Sequence, residues 1–207
     1  MHSADILITG ITGFIGQHLA NALQAHGAKV LGITGRQDKR LPGIANIDLR
    51  DQVRLKEYVQ EVHPSIIFHL GAYVALDRNY ETARSCIDTN IQGTLNLLDA
   101  VSNMKTPVKR VVFLSTEEVY GRSPLPYRED QPVFPPSPYA ISKIAGEHFL
   151  ALYRAACGLP TIVLRLATVY GPLQPLNRFI PRTIKAALLH EDIAMNSGTS
   201  PRDYVYV

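Results

Sequence analysis

Residues 6–16 read ILITGITGFIG. An apolar run is followed by Gly10 and Gly13, and a helical pattern then begins that contains Gly16 in its first turn. Glycines here permit a tight turn and let backbone N–H groups approach a pyrophosphate at the positive end of the helix. A second apolar run begins near Lys29, so strand, turn, helix and strand follow in the order that a dinucleotide site needs. The stretch predicts such a site; a turn that binds no ligand is the alternative.

Short apolar runs alternate with longer segments of helical period along the whole chain. The predicted strands are 6–9, 29–34, 66–70, 110–115 and 161–166, and the predicted helices are 14–25, 55–62, 83–103, 139–156 and 179–189. This alternation predicts an α/β fold of the Rossmann type, a doubly wound parallel sheet with helices on both faces. We expect residues 1–175 to form an NAD(P)-binding domain and residues 176–207 to begin a substrate-binding region.

Composition restricts the class of protein. The 207 residues are 46% hydrophobic and 19% charged, and the net charge of +3 comes from 21 basic and 18 acidic residues that are well mixed. This balance gives no argument for nucleic acid. No apolar run is long enough for a bilayer and no signal peptide is visible, so we expect a cytoplasmic protein without a membrane partner. Cys86 and Cys157 fall in predicted helices, and we expect both to be buried, reduced thiols.

The end of the second strand bears on which dinucleotide is bound. Folds that bind NAD usually place Asp or Glu there for the ribose hydroxyls, whereas residues 32–36 read GITGR. Arg36 can pair with a 2′-phosphate, which favours NADP over NAD. A solvated loop charge at Arg36 is the alternative.

Tyr139 and Lys143 lie four residues apart at the start of a predicted helix and share one of its faces. A nearby ammonium stabilises the phenolate, which makes the tyrosine a usable acid/base. The same spacing is also common on ordinary amphipathic helices. Residues 122–137, which precede this pair, hold five prolines and are predicted to form a wall of the site.

The order of the motifs resembles that of the extended short-chain dehydrogenase/reductases, and more narrowly that of the NAD(P)-dependent nucleotide-sugar epimerase/dehydratase family. The landmarks are the glycine turn, Asp48-Leu49, His69-Leu70-Gly71-Ala72, Asn90, residues 115–121 (STEEVYG), Tyr139 with Lys143, residues 165–172 and residues 202–205. The resemblance covers the chain from Asp5 to Val207.

This resemblance implies a cofactor site and a catalytic group. The dinucleotide would be bound by Gly10, Thr12, Gly13, Phe14, Ile15, Gly16, Arg36, Asp48, Leu49, Leu70, Gly71, Ala72, Asn90, Tyr139 and Lys143. Tyr139 would exchange the proton on the sugar oxygen, Lys143 would hold the nicotinamide ribose, and Thr116 would hydrogen-bond the same sugar oxygen. Asp48 as a turn residue, His69 as a packed strand residue and Asn90 as a helix polar contact are the alternatives.

The segment Thr116-Glu117-Glu118 bears on the reaction type. By resemblance to 4,6-dehydratases, Glu118 would remove the C5 proton and Glu117 would be a second acid that contacts substrate, although Glu117 facing solvent is an equal alternative. The pattern also resembles nucleotide-sugar decarboxylases and 4-ketoreductases. Thr168, where many epimerases carry asparagine, and Arg202 would contact substrate.

The resemblance implies an enzyme that acts at C4 of a nucleoside-diphosphate sugar, and leaves open whether it is a 4,6-dehydratase, a 4-epimerase or a 4-ketoreductase. It also implies a homodimer that forms through the helices 83–103 and 139–156. Family members continue about a hundred residues further, so we expect the C-terminal substrate domain to be largely missing, in a fragment or a truncated protein. A catalytically impaired NADP-binding regulator or scaffold is the alternative function.

Overall fold

The structure, a computed structural model, describes residues 5–35, 42–75, 77–194 and 202–207. The chain separates into two compact units, Met1–Arg165 and Leu166–Val207. The assignment of residues 1–175 to cofactor binding and of residues 176–207 to substrate binding stays a prediction.

The first unit is built on a six-stranded sheet. Its strands are β1 (Ile6–Thr9), β2 (Val30–Thr34), β3 (Ile44–Asn46), β4 (Ile66–His69), β5 (Arg110–Thr116) and β6 (Thr161–Leu166). They lie in the order β3-β2-β1-β4-β5-β6, and the pairs joined by β1, β2 and β4 are parallel. The strand order reverses between β1 and β4, the place where doubly wound folds bind ligands at the carboxyl ends of their strands.

Helices follow the strands in the predicted alternation. They are α1 (Phe14–Ala25), α2 (Gln52–Val62), α3 (Tyr80–Cys86), α4 (Gly93–Ser102) and α5 (Pro138–Cys157), with a π-helical stretch at Ile87–Gln92 and a 3₁₀ turn at Glu117–Tyr120. The predicted single helix 83–103 is therefore three segments, in which a wider π turn separates two α-helices. The three-residue strand β3 was not predicted, because so short a run carries little periodic signal.

Side chains of β1 alternate between two hydrophobic clusters. Leu7 belongs to a cluster with residues of α2, α4 and α5, whereas Ile6 and Ile8 pack with Ala20 of α1. Because successive side chains of a strand point to opposite faces, the sheet is covered on both faces. The predicted doubly wound Rossmann architecture is confirmed.

The second unit contains β7 (Thr168–Tyr170), α6 (Phe179–Leu189) and β8 (Tyr204–Tyr206). The two strands pair in parallel, and the Tyr170 ring makes edge-on contacts with the rings of Tyr204 and Tyr206. Across the helices of both units, as far as the structure describes them, none combines the length and the apolar character that crossing a membrane needs.

The two cysteines differ in environment. Cys86 is 1% exposed at the end of α3, as predicted, whereas Cys157 is exposed and its predicted burial is wrong. Cys157 is the last residue of α5, whose final turn is exposed throughout. Helical periodicity alone does not reveal which turns of a helix the rest of the fold covers. Both thiols are free.

Candidate active site

The glycine turn packs directly against the backbone that follows β4. Gly10 has φ +71°, and a Cβ atom there would lie 2.8 Å from Cα of Gly71. A Cβ atom on Gly16 would collide with the carbonyl oxygen of Gly10 and lie 2.8 Å from Cα of Ile11. Only glycine permits these approaches without displacing backbone. The predicted tight turn is present, and it adjoins Gly71, another predicted cofactor residue.

The N-terminus of α1 carries no competing anion. Gly13 precedes the helix in an extended conformation, no side chain caps it, and the first turn that contains Phe14, Ile15 and Gly16 has no acidic residue. The positive end of the helix dipole is thus available to an anionic group. This arrangement fits the pyrophosphate of a dinucleotide.

Thr34, at the end of β2, is 2% exposed and its hydroxyl lies 2.8 Å from the hydroxyl of Thr12 in the glycine turn. The strand that borders β1 therefore ends in a neutral side chain that is turned toward the cofactor turn. Arg36 lies outside the described residues.

Asp48 and Leu49 follow β3. Asp48 is paired with Arg50, with 2.6 Å between Oδ2 and Nη2, and the hydrogen bonds from Arg50 hold the pKa of Asp48 below its usual range. Asp48 also accepts the backbone N–H of Arg50, as turn aspartates do, so the turn interpretation accounts for its contacts. Leu49 is buried, and its side chain closely approaches Gly71. Leu49 is thereby placed beside the turn after β4; binding of the dinucleotide by either residue stays a prediction.

Asn90 lies in the π-helical stretch and binds two elements of the site. Its Oδ1 accepts the backbone N–H of Tyr73 at 2.7 Å, while Nδ2 donates to the Tyr73 carbonyl at 3.0 Å and to the Ser142 hydroxyl at 2.8 Å. Asn90 therefore links the segment after β4, which includes Leu70, Gly71 and Ala72, to helix α5. It is more than an ordinary helix polar contact.

Tyr139 and Lys143 are brought together on α5 as predicted. The helix begins at Pro138, directly after Ser137, whose hydroxyl caps it by accepting the N–H of Ala140 at 3.1 Å. The Lys143 ammonium lies 5.9 Å from the centre of the Tyr139 ring, within the range of a cation–π interaction. The pair therefore lies in the first two turns of a helix whose N-terminus is capped.

Lys143 is only 4% exposed, and its ammonium donates to the Leu114 carbonyl at 2.8 Å, 4.7 Å from the centre of the Phe113 ring. Burial lowers the pKa of Lys143 to about 8, and the negative charge of Glu147, four residues along the helix, opposes that shift. The cation is therefore near its point of proton loss at mildly alkaline pH.

Thr116 and Glu118 are joined to the start of α5. The Thr116 hydroxyl oxygen accepts the N–H of Glu118 at 3.2 Å, and Oε1 of Glu118 accepts the Ser137 hydroxyl at 2.6 Å. Ser137 thus contacts the Glu118 carboxylate while capping the helix of Tyr139. Sequence reasoning missed Ser137, although its place directly before a helical Pro is a capping signal. Glu117 is half-buried on the intervening turn.

Glu147 and Arg165 form a second polar cluster that the sequence analysis did not find. Arg165 places Nη2 2.6 Å from Oε2 of Glu147 and Nη1 2.9 Å from the Tyr120 hydroxyl, and Glu147 also accepts the Ser115 hydroxyl. Glu147 lies four residues after Lys143, a spacing that places both on one helix face. That spacing was the available signal.

Thr168 and Arg202 belong to the second unit, where Thr168 begins β7 and Arg202 precedes β8. Both are exposed. Their contact with substrate stays a prediction. In the ranges that the structure describes, no group of three or more His, Cys, Asp or Glu residues is arranged to hold a metal ion.

Fold and site together define a doubly wound α/β protein with a glycine turn for a dinucleotide and a half-buried tyrosine one helical turn before a buried lysine. Residues 6–207 match the model of the NAD dependent epimerase/dehydratase family. The chain belongs to this family, as its motifs predicted.

Relatives and solved structures agree with that assignment. The chain is 30% identical to a probable dTDP-glucose 4,6-dehydratase of Sinorhizobium fredii, over 98% of this chain and 64% of the relative. It is 34% identical to a UDP-N-acetyl-alpha-D-glucosaminuronate decarboxylase of Bacillus cytotoxicus, over 97% of this chain and 67% of the relative. The structure of the Thermus thermophilus UDP-glucose 4-epimerase complex with NAD superimposes with a TM-score of 0.85 at 31% identity, over 98% of this chain and 70% of that one. The chain thus spans about two thirds of the length of these relatives.

The residues present fit a nicotinamide dinucleotide. The uncapped helix α1 suits its pyrophosphate, and the close approach of Gly10 to Gly71 leaves a side-chain-free backbone surface at the sheet reversal. The Lys143 ammonium, held at the end of β5, suits its ribose. NAD is the cofactor of the family, and the described residues contain nothing in this turn that would repel it.

Proposed function

We propose that this chain supplies the cofactor site and the acid/base residues of a nucleotide-sugar oxidoreductase that acts at C4 of a nucleoside-diphosphate sugar. One observation carries the proposal: the hydroxyl of Ser137 joins the Glu118 carboxylate to the first turn of the helix that bears Tyr139 and Lys143. The Glu118 carboxylate is thereby held at the start of the helix that carries the Tyr139 phenol and, one turn later, the Lys143 ammonium.

A bound nicotinamide dinucleotide would supply the hydride acceptor for oxidation of the sugar carbon. Tyr139 accepts the proton of the C4 hydroxyl, because the Lys143 ammonium favours its phenolate. The Thr116 hydroxyl oxygen accepts a backbone N–H, so its own proton can be donated to the sugar oxygen. An epimerase and a dehydratase both begin with these roles, whereas a ketoreductase uses the same residues in the opposite direction, with Tyr139 donating its proton to the sugar oxygen.

Glu118 favours a 4,6-dehydratase among these reactions. A ketone at C4 acidifies the C5 proton, and a carboxylate near it can remove that proton. One oxygen of Glu118 is held by Ser137, which orients the carboxylate. Glu117, half-buried on the same turn, can then protonate the departing C6 hydroxyl. The similarity to a dehydratase supports this assignment; the similarity to a decarboxylase and an epimerase keeps those reactions as outcomes of the test.

The cofactor preference that we propose is NADP. Thr34 stands where a carboxylate would bind the ribose hydroxyls of NAD, and its hydroxyl is engaged with Thr12. A neutral side chain there leaves room for a 2′-phosphate without repulsion. NAD remains the cofactor in the complexes of the similar epimerases.

A homodimer and a cytoplasmic location are also proposed. Several apolar side chains on α3, the π-helical stretch and α5 are more than half exposed: Tyr80, Ile87, Ile141 and Leu152. Exposed apolar residues on neighbouring helices support pairing with a second copy. Analytical ultracentrifugation of the wild type and of Leu152→Glu measures this directly; a monomeric wild type at tens of micromolar contradicts the dimer.

Turnover and binding test the catalytic proposal together. The chain is mixed with NAD or NADP and with a panel of dTDP- and UDP-sugars, and thermal stabilisation and product formation are measured. An epimerase or dehydratase returns the hydride and consumes no dinucleotide, whereas a ketoreductase consumes it stoichiometrically. Tyr139→Phe should abolish turnover while dinucleotide binding persists. Binding without turnover by the wild type would instead favour the regulator or scaffold.

A further inference from the structure

Buried polar side chains form a continuous hydrogen-bonded path around the end of β4. Nδ1 of His69 lies 2.7 Å from the Thr9 hydroxyl, and Nε2 lies 3.0 Å from the Thr94 hydroxyl. Thr9 Oγ1 also accepts the N–H of Gly71 at 3.0 Å, and the Thr94 hydroxyl donates to the Asn90 carbonyl at 2.5 Å. Thr9, His69, Asn90 and Thr94 are each at most 3% exposed, so bulk water is not a hydrogen-bond partner of their side chains.

Asn90 closes this path into a ring. Its side chain binds both the N–H and the carbonyl of Tyr73. The backbone from Gly71 to Tyr73 is thus held at one end by Thr9 and at the other by Asn90. We call the ring of Thr9, His69, Thr94, Asn90, Tyr73 and Gly71 the His69 circuit. It encloses the segment that packs against Gly10 of the cofactor turn.

The backbone carbonyl of Asn90 fixes which group donates in each hydrogen bond between His69 and its two threonine partners. The Asn90 carbonyl can only accept, so the Thr94 hydroxyl proton is committed to it. Thr94 must then accept from His69, which requires a proton on Nε2. In a neutral ring Nδ1 is the acceptor, so Thr9 donates its hydroxyl proton to His69 and accepts from Gly71. One tautomer of His69 satisfies every member.

The surroundings keep the ring neutral. Phe113 contacts both His69, with 5.6 Å between ring centres, and the Lys143 ammonium. Burial, together with the positive charge of Lys143, lowers the pKa of His69 to about 3. The remaining neighbours in the circuit are hydroxyl and amide groups without charge. A second cation beside Lys143 is thereby avoided.

We propose that His69, as the neutral Nε2–H tautomer, is a positioning residue that holds Gly71–Tyr73 and Asn90 in one rigid arrangement for the dinucleotide. The tautomer and the arrangement of Gly71–Tyr73 are independent of the proposed function; only the effect on dinucleotide binding rests on it. His69 acts through its hydrogen bonds with Thr9 and Thr94.

Nitrogen NMR of ¹⁵N-histidine-labelled protein tests the tautomer without any ligand. His69 is the one fully buried histidine among those that the structure describes, and its signals are identified by their loss in His69→Gln. A protonated Nε2 and an unprotonated Nδ1 are expected. An Nδ1–H tautomer, or an imidazolium signal, would overturn the circuit.

Variants of His69 test the positioning role. Asn can replace the Nδ1 contact and Gln the Nε2 contact, whereas Leu replaces neither. Amide exchange at Gly71 and Tyr73 should be about tenfold faster in His69→Leu, with Asn and Gln intermediate, and the Kd for NADP or NAD should weaken about tenfold in the same order. Equal exchange and equal affinity in wild type and His69→Leu would refute the proposal.

Thr94 provides a second cut in the circuit if His69→Leu does not fold. Thr94→Val removes the hydroxyl at nearly constant shape, and Thr94→Ser keeps it. Faster exchange at Tyr73 in the valine variant alone supports the circuit; equal exchange in both contradicts it. If the wild type binds neither dinucleotide, the proposed function fails, while the tautomer and the exchange rates still decide whether His69 positions this segment.

Discussion

The guanidinium of Arg165 and the carboxylate of Glu147 form a bidentate ion pair: Nε lies 3.1 Å from both carboxylate oxygens and Nη2 lies 2.6 Å from Oε2. The two side chains are 20% and 9% exposed. The pair ties β6 to α5 one turn after Lys143, and the hydrogen bonds that Arg165 donates to Glu147 raise the pKa of Arg165. A buried pair of this kind is costly to break on one side only.

Glu147→Gln should lower the free energy of unfolding by about 3 kcal/mol, because it leaves the Arg165 cation without its counter-charge. Urea denaturation at pH 7 measures this. Asp130→Asn, which breaks the exposed Arg128–Asp130 pair, is the control and should change stability by less than about 0.5 kcal/mol. Equal effects of the two substitutions would contradict the importance of the buried pair.

Lys143 predicts a specific pH dependence of stability. Its pKa is about 8 in the folded chain and 10.5 when unperturbed, so between these values the unfolded state binds more protons than the folded state. Stability contributed by this group therefore rises with pH across that window and is constant below it. Relative to Lys143→Met, the wild type should gain about 2 to 3 kcal/mol between pH 7 and pH 10. Unfolding curves of both proteins at matched pH measure it; a constant difference refutes it.

Gly16→Ala should disrupt the cofactor turn, since its methyl group would collide with the Gly10 carbonyl and approach the Ile11 backbone. We expect a loss of about 2 kcal/mol in stability and loss of the thermal stabilisation by NADP or NAD. Gly35→Ala, where an added Cβ atom meets nothing within 4 Å, is the stability control and should be neutral. Stabilisation by dinucleotide that survives in Gly16→Ala would argue against binding at this turn.

Thr34→Asp should reverse the proposed cofactor preference. A carboxylate at the end of β2 can bind the ribose hydroxyls of NAD and repels the 2′-phosphate of NADP. The ratio of the Kd for NADP to the Kd for NAD should rise at least about tenfold, measured by titration calorimetry. Thr34→Val breaks the Thr12 hydrogen bond without adding charge and should leave the ratio nearly unchanged. A rise in both variants would assign the effect to turn geometry instead.

Glu118→Gln separates chemistry from structure. The amide oxygen can still accept the Ser137 hydroxyl, so the stability loss should be about 1 kcal/mol. If Glu118 removes the C5 proton, 4,6-dehydration should fall by at least about a hundredfold. Glu117→Gln is the partner experiment: a similar loss identifies it as the second acid, and full activity identifies it as a bystander. Unimpaired dehydration in Glu118→Gln excludes Glu118 as the base.

Much of the fold followed from local pattern. The strands β1 and β6 and the helices α1 and α6 have the predicted bounds, because Ile, Val and Leu runs and helical periodicity are written into consecutive residues. The break of the predicted helix 83–103 into α3, a π turn and α4 did not follow, since Asn90 is placed there by contacts to Tyr73 and Ser142 that are distant in the chain.

By itself, the sequence determined the glycine turn and the Tyr139–Lys143 pair, which depend on residues close together in the chain, and the α/β class and the family, which depend on the order of such local patterns along it. The tertiary structure alone decided that Ser137 joins Glu118 to the tyrosine helix, that Glu147 pairs with Arg165, and that His69 links Thr9 to Thr94. These contacts join residues 18 to 60 positions apart. Packing of strands and helices, rather than local spacing, brings such groups within hydrogen-bond distance, and burial keeps His69 neutral among them.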